Sequence, residues 1–228
     1  MPIFNRSAIE HYARSCAPAR EALRAWYAEA VAAQWASPEE IKRQFPKASV
    51  IANNRIVFNI AGNAYRLIVS FNYRYGAGYI KFFGTHAEAD RVDAATVDFT
   101  GVVHGKKTVE IELVKSEASY RRALTRLAHF FDEPPKVGSS EEAEFELLML
   151  MVERYEGEHH AIPAPDPVAA IEFAIEQRGL TPRDLQAIFG SRQRVHEVLR
   201  RKRRLSMGQA RALHEKLAIP AEVLIQAY

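Results

Sequence analysis

Two periodicities divide the chain. Residues 7–15 and 18–35 carry apolar side chains at helical spacing, with Leu23, Trp26, Tyr27 and Ala30 on one face of the second stretch. A third helix is predicted at Ser37-Pro38-Glu39-Glu40, where a serine cap, a proline at the first helical position and a glutamate three residues on read as a capping box. After Pro46 the pattern switches to alternation. The runs RIVFNIA (55–61) and AYRLIVSF (64–71) flank Gly62-Asn63, a two-residue hairpin signal. With that turn, Ile60 faces Tyr65, Phe58 faces Leu67 and Ile56 faces Val69, which makes one face almost wholly apolar. The other face carries Arg55, Val57 and Asn59 against Arg66, Ile68 and Ser70. A further strand over 79–84 alternates Lys81 with Ile80 and Phe82 and ends at Thr85-His86.

Helical spacing returns after a junction at 99–116, which holds a turn at His104-Gly105-Lys106 and a predicted strand over 108–114. Residues 116–165 read as two helices broken at 132–140, with one stripe of Tyr120, Leu124, Leu127, Phe130 and Phe131 and another of Phe145, Leu148, Met149 and Val152. The segment AIPAP (161–165) is an extended hinge, and His159 and His160 beside it read as solvated loop residues, because adjacent histidines cannot face one metal from a regular helix. From Asp166 a helix runs to about Arg178 and stops at Gly179. Thr181 then caps a short helix with Pro182 at its first position, Gly190 ends it, and Ser191 caps another reaching about Arg201. Ser206 leads into a fourth helix with Ala210, Leu213 and Leu217, and Pro220 starts a last turn through Leu224. Leu185, Ile188, Val195, Val198, Leu199 and Leu213 supply a shared core.

A length of 228 residues suits two modules, and 48% hydrophobic against 26% charged residues is an ordinary globular balance. The single cysteine, Cys16, excludes an internal disulfide and a four-thiolate metal site, which fits a reducing cytoplasm. Arg6, Glu10 and Arg14 break any apolar leader at the amino terminus, and no stretch approaches a membrane span. Neither metal nor cofactor is expected. The net charge of +3 hides a division: residues 136–177 carry two basic against ten acidic groups, whereas 178–216 carry eleven against three. A basic block of that density is the footprint of a polyanion ligand, because each neutralised phosphate releases condensed counterions.

The sheet face with Arg55, Arg66 and Lys81, followed by His86, has the parts for cutting RNA without a metal. The 2′-hydroxyl must lose a proton, the leaving oxygen must gain one, and charge on the phosphate must be stabilised. A histidine suits the proton transfer and guanidinium groups suit the charge.

Two resemblances sharpen this reading. The segments LRAWYAEAVAAQWASPEEIKRQFPKASVIANNRIVFNIAGNAYRLIVSFNY and YIKFFGTHAEADRVDA resemble HigB-type toxins of the RelE-like endoribonuclease group over about residues 3–98. The resemblance implies cleavage of mRNA on the ribosome, with Arg55, Asn59, Arg66, Lys81 and His86 as candidate catalytic residues and Asn54 and Asn63 as turn residues. The segment RGLTPRDLQAIFGSRQRVHEVLRRKRRLSMGQARALHEKLAIPAEVLI resembles Xre-family helix-turn-helix domains of HigA-type antitoxins. It implies a reading helix from Ser191, with Arg192, Gln193, Arg194 and Glu197 toward operator bases. Thr181, Arg201, Lys202, Arg203, Arg204 and Ser206 would then lie toward phosphates.

The expected fold class is α+β followed by an all-α part. The expected division is 1–100 toxin-like, 101–115 junction, 116–165 helical hairpin and hinge, and 166–228 DNA-binding. The families place toxin and antitoxin on two chains, whereas here both patterns share one, and no methionine opens the second. The expected function is a cytoplasmic, homodimeric toxin-antitoxin fusion whose second half neutralises the first and represses its own operator. Two alternatives stand beside it: a DNA-binding repressor with a catalytically inert front domain, and an RNA-binding or ribosome-binding module without catalysis.

Overall fold

The computed structural model describes residues 1–97 and 113–228, so the turn at His104 and all but the end of the strand expected over 108–114 lie outside the described residues. In chain order it comprises β1 (Ile3–Phe4), α1 (Arg6–Ser15), α2 (Arg20–Ala32), α3 (Pro38–Gln44), β2 (Ser49–Ile51), β3 (Arg55–Ile60), β4 (Tyr65–Asn72), β5 (Ala77–Thr85) and α4 (His86–Ala89). Then follow α5 (Glu117–Asp132), α6 (Ser140–His159), α7 (Pro167–Arg178), α8 (Gln186–Phe189), α9 (Arg192–Leu199), α10 (Met207–Leu217) and α11 (Ala221–Leu224).

One sheet, in the order β1-β5-β4-β3-β2, organises the front of the molecule. β1 runs parallel to β5, and the remaining neighbours are antiparallel. The β3-β4 register is the one the Gly62-Asn63 turn dictates, with Ile56 opposite Val69, Phe58 opposite Leu67 and Ile60 opposite Tyr65. Both turn residues adopt positive φ, +65° and +74°, a conformation for which glycine and asparagine are suited. α3 starts at Pro38 as the sequence predicts, but its cap differs. The Ser37 side chain caps no backbone N–H there, and the Glu40 carboxylate reaches one residue further back, accepting from Ala36 N at 2.8 Å.

The sheet is a middle layer. Ile56, Phe58, Ile60, Leu67, Val69, Phe71, Ile80 and Phe83 pack with Leu23, Trp26, Trp35, Ile41 and Phe45 in a first core. The opposite face, which alternation alone leaves open to solvent, is covered by α5 and α6. Phe4, Ala77 and Tyr79 pack there with Tyr120, Leu124, Leu127, Phe131, Phe145 and Val152 in a second core. A third core joins α7–α11 through Ile171, Ala174, Leu185, Phe189, Val195, Val198 and Leu213. α7 belongs to two of these cores, since its Phe173 enters the first.

The hairpin base is pinned by a buried carboxylate. Glu156 of α6 accepts from Arg6 N at 2.9 Å and from Tyr120 Oη at 2.6 Å, and it lies 3.3 Å from Arg6 Nε. His160, expected in solvent, is instead half-buried against Tyr120, with Nδ1 3.0 Å from Glu10; the carboxylates of α1 and α5 converge on it.

Burial pushes the Glu156 carboxyl up to about 7 against the opposing pull of Tyr120 and Arg6. A folded value above the unfolded one means the folded state holds the extra proton between about pH 4.5 and 7, so this group's contribution to stability is largest below that window and falls as pH rises through it. Glu156→Gln keeps an acceptor for Arg6 and Tyr120 and removes the charge. It is expected to flatten the decline in urea-unfolding stability between pH 5 and 8, and an unchanged slope would show that Glu156 does not titrate there.

Candidate functional site

The second face of the sheet concentrates the chemistry. Arg55 begins β3 and pairs across the ladder with Ser70, which in turn faces Tyr79. β5 carries a bulge opposite Ile68 and Val69: Phe82 pairs with Ile68 and Ile80 with Val69, leaving Lys81 as the extra residue. The simple alternation of Lys81 with Ile80 and Phe82 is thereby broken. Ile80 and Phe83 enter the first core, and Lys81 turns to the other face.

On that face Arg55 and Lys81 are 2% and 0% exposed. Asp132, the last residue of α5, bridges them, with Oδ1 2.8 Å from Arg55 Nη2 and Oδ2 2.8 Å from Lys81 Nζ. Arg55 Nη1 donates to the Ala94 and Val97 carbonyls, which pins the guanidinium in place. Lys81 Nζ also donates to Ala128 O at 3.1 Å and lies 5.2 Å from the Tyr79 ring centre. Ser70 Oγ and Arg55 Nε are buried with no hydrogen-bond partner among the described residues. The α5 stripe read from the sequence is therefore the lid over these groups, and Asp132 is its charged end.

The remaining candidates lie elsewhere. Asn59 and Arg66 form a cross-strand pair four residues along from Arg55 and Ser70, about 13 Å at strand rise. Arg66 Nη1 donates to Asn63 O at 3.0 Å, and Asn59 Nδ2 to Lys47 O at 3.3 Å. His86 is exposed at the start of α4, with Nδ1 2.9 Å from Asp90 Oδ2. The candidates thus separate into a covered pair, Arg55 and Lys81, and a more open group, Asn59, Arg66 and His86, toward the end of the sheet where the β3-β4 hairpin turns. Asp90 escaped sequence reasoning, although its i, i+4 spacing from His86 on a helix was a usable signal.

Residues 19–92 match the HigB toxin family model. The model is described as the RelE-like toxic component of a toxin-antitoxin system. The match starts at the foot of α2 and closes just past α4, so it contains Arg55, Asn59, Arg66, Lys81 and His86 of this HigB-like module, while α5 to α11 lie outside it. No match was found among curated proteins.

In the carboxy-terminal helices, α8 and α9 are joined by Gly190 at φ +81°, and Ser191 Oγ caps α9 by accepting from Arg194 N. Arg192, Gln193 and Arg194 are exposed on its first turn, with Gln193 Nε2 2.9 Å from Glu197. Residues 182–185 form turns, so the α-helical part after Thr181 is shorter than its cap suggested, and Thr181 donates to Asp184 rather than standing open. Lys202 and Arg204 are exposed; Arg203 sits 3.6 Å from Glu197 and Arg201 2.6 Å from Asp166. Ser206 closes a capping box with Gln209. Among the described residues no group of three or more His, Cys, Asp or Glu side chains is placed to hold a metal, and no helix is long and apolar enough to cross a membrane.

The bridge has an asymmetric energetic signature. Lys81→Met removes a buried charge and leaves Asp132 its arginine, whereas Asp132→Ala leaves two buried cations facing each other. The Asp132 variant is expected to lose about 1 to 3 kcal/mol more in urea unfolding than the Lys81 variant. Equal losses would mean that the bridge does not neutralise the pair.

Proposed function

We propose that the HigB-like module is a metal-independent endoribonuclease acting on ribosome-bound mRNA, that the α5-α6 hairpin restrains it, and that α7–α11 form a helix-turn-helix unit binding operator DNA as a homodimeric autorepressor in the cytoplasm. The observation that carries the reading is the burial of Arg55 and Lys81, inside the segment similar to HigB toxins, beneath a carboxylate that comes from outside that segment.

In this reading the 2′-hydroxyl of the substrate attacks its own phosphodiester. The new bond closes a 2′,3′-cyclic phosphate as the bond from phosphorus to the 5′-oxygen breaks. His86, held by Asp90, takes the 2′-hydroxyl proton or protonates the leaving 5′-oxygen, water serving the other transfer, and Arg66 stabilises the charge that develops on the phosphate. Arg55 and Lys81 bind substrate once the hairpin has moved. On the DNA side, Arg192, Gln193 and Arg194 read base edges while Lys202 and Arg204 hold phosphates. Arg201, engaged with Asp166, serves α7 more than DNA.

A second reading, a repressor whose front module is inert, is favoured by the lack of solvent access to Arg55 and Lys81. Growth and RNA ends decide between them. Residues 1–112 expressed alone are expected to arrest growth and generate new mRNA ends, and co-expressed 113–228 to relieve both. His86→Gln in that fragment is expected to lower cleavage by about 10²- to 10⁴-fold. A folded fragment without cleavage would leave the repressor reading standing.

DNA contacts separate by salt and sequence. Gln193→Ala or Arg194→Ala is expected to weaken operator binding by roughly 1 to 3 kcal/mol with little effect on random duplex. Lys202→Ala is expected to weaken both duplexes alike and reduce the salt slope by about one. Equal weakening by all three would remove α9 as the reading helix.

A further inference from the structure

We propose that Arg55, Ser70 and Lys81 form a phosphodiester-binding site whose internal occupant is the Asp132 carboxylate, which sits where a substrate phosphate would sit. The inference rests on reading this sheet face as the RNA-handling surface.

Three observations converge on it. First, Asp132 presents two oxygens to two different cations, each at 2.8 Å. That is the arrangement in which two non-bridging oxygens of a phosphodiester would meet the same donors, at the same charge of minus one. Second, one carboxylate is shared between two buried cations, so lifting α5 takes its negative charge away from both of them at once. Third, Ser70 Oγ and Arg55 Nε are buried there without partners among the described residues. Unmade hydrogen bonds in the interior are costly, and donors left in that state beside two cations are suited to a ligand with more acceptor oxygens than a carboxylate has.

The geometry also explains how the site can open without dissolving. Arg55 Nη1 is tied to the Ala94 and Val97 carbonyls, both outside α5, so the guanidinium keeps its aim when the helix leaves. Lys81, by contrast, gives bonds to two groups of α5, Ala128 O and Asp132, and loses both by the same movement. Asp132 itself is about one-third exposed, 32%, so solvent anions reach the contact from its open side.

The test uses the full chain and inorganic phosphate. Asp132→Asn is expected to be less stable than the wild type and to regain about 3 °C or more of thermal midpoint in phosphate over chloride at matched ionic strength. The wild type should gain less, and Asp132→Asn combined with Lys81→Met should gain nothing beyond ionic strength. In the wild type, phosphate should accelerate amide exchange in the last turn of α5, because it binds only the open state; this readout serves even where the Asn variant does not fold. No selective gain in Asp132→Asn, or no acceleration in the wild type, overturns the proposal.

A short 2′-O-methyl RNA, which cannot be cut, and its unmodified counterpart separate this failure from failure of the nuclease reading. Tighter binding of the blocked RNA by Asp132→Asn with no cleavage of the unmodified one supports the anion site and removes the nuclease. Cleavage without any gain in phosphate or RNA binding removes the anion site and leaves the nuclease.

Discussion

Two cations on one face of a β-sheet are not buried without an anion held against them. Moving an isolated ammonium or guanidinium out of water costs several kcal/mol even after relaxation, more than apolar contact over a few side chains returns. Arg55 and Lys81 are nonetheless among the least exposed side chains of the molecule, and the carboxylate that makes this tolerable is the last residue of α5. The same helix brings the apolar cover: its stripe from Tyr120 to Phe131 lies along Phe4, Ala77 and Tyr79, and α6 folds back to cover what α5 leaves open. The third layer thus joins apolar burial to the neutralising of one pair of charges.

The carboxy-terminal helices attach by different means. Among the described residues β2 pairs with Arg55, Ile56 and Val57 of β3, and α7 lies along the edge of β3 beyond them. Gln177 Nε2 donates to Asn59 O at 2.8 Å, Glu176 accepts from Gly62 N at 2.8 Å, and Arg178 meets the buried Glu29 carboxylate at 2.9 Å. Phe173 enters the aromatic cluster at Phe45. Because the other side of α7 supplies Ile171, Ala174 and Ile175 to the core of α8–α11, the same helix is structural for both parts.

Local features were legible in the sequence and long-range ones were not. The hairpin register, the caps at Asp166, Ser191 and Ser206 and the stops at Gly179 and Gly190 all follow from chemistry within four residues of each position. The bulge at Lys81 leaves no mark in an alternation of aromatic and aliphatic residues, since Phe82 and Phe83 are both apolar. The covering of the second face depends on Asp132, 51 residues from Lys81 and 77 from Arg55 in sequence, and nothing in a cationic strand announces a distant carboxylate. The site residues suffered most from this. Residues that alternation places on one face are divided between a covered end and an open end, because a face is as long as its strands and only part of it lies under α5.

The hairpin is held differently at its two ends. At its base, Tyr120 and Glu156 close a buried network with Ser7 and Arg6, and the aromatic contact with His160 continues it into α1. At its tip, the end of α5 is held by Asp132, a partly exposed carboxylate, of whose two partners Arg55 is also tied to carbonyls outside α5. A contact whose carboxylate is open to water can be exchanged for another anion, because solvent and salt reach it from that side, although the cations beneath still need an anion. A buried network cannot, because every group it frees loses its partner without gaining water until the whole junction opens. Of the two ends, the tip at Asp132 is therefore the more readily exchanged contact and the base at Glu156 the more firmly fixed one. The helices that close the cationic face and the helices that carry α9 are thus held to the sheet by different contacts on one scaffold.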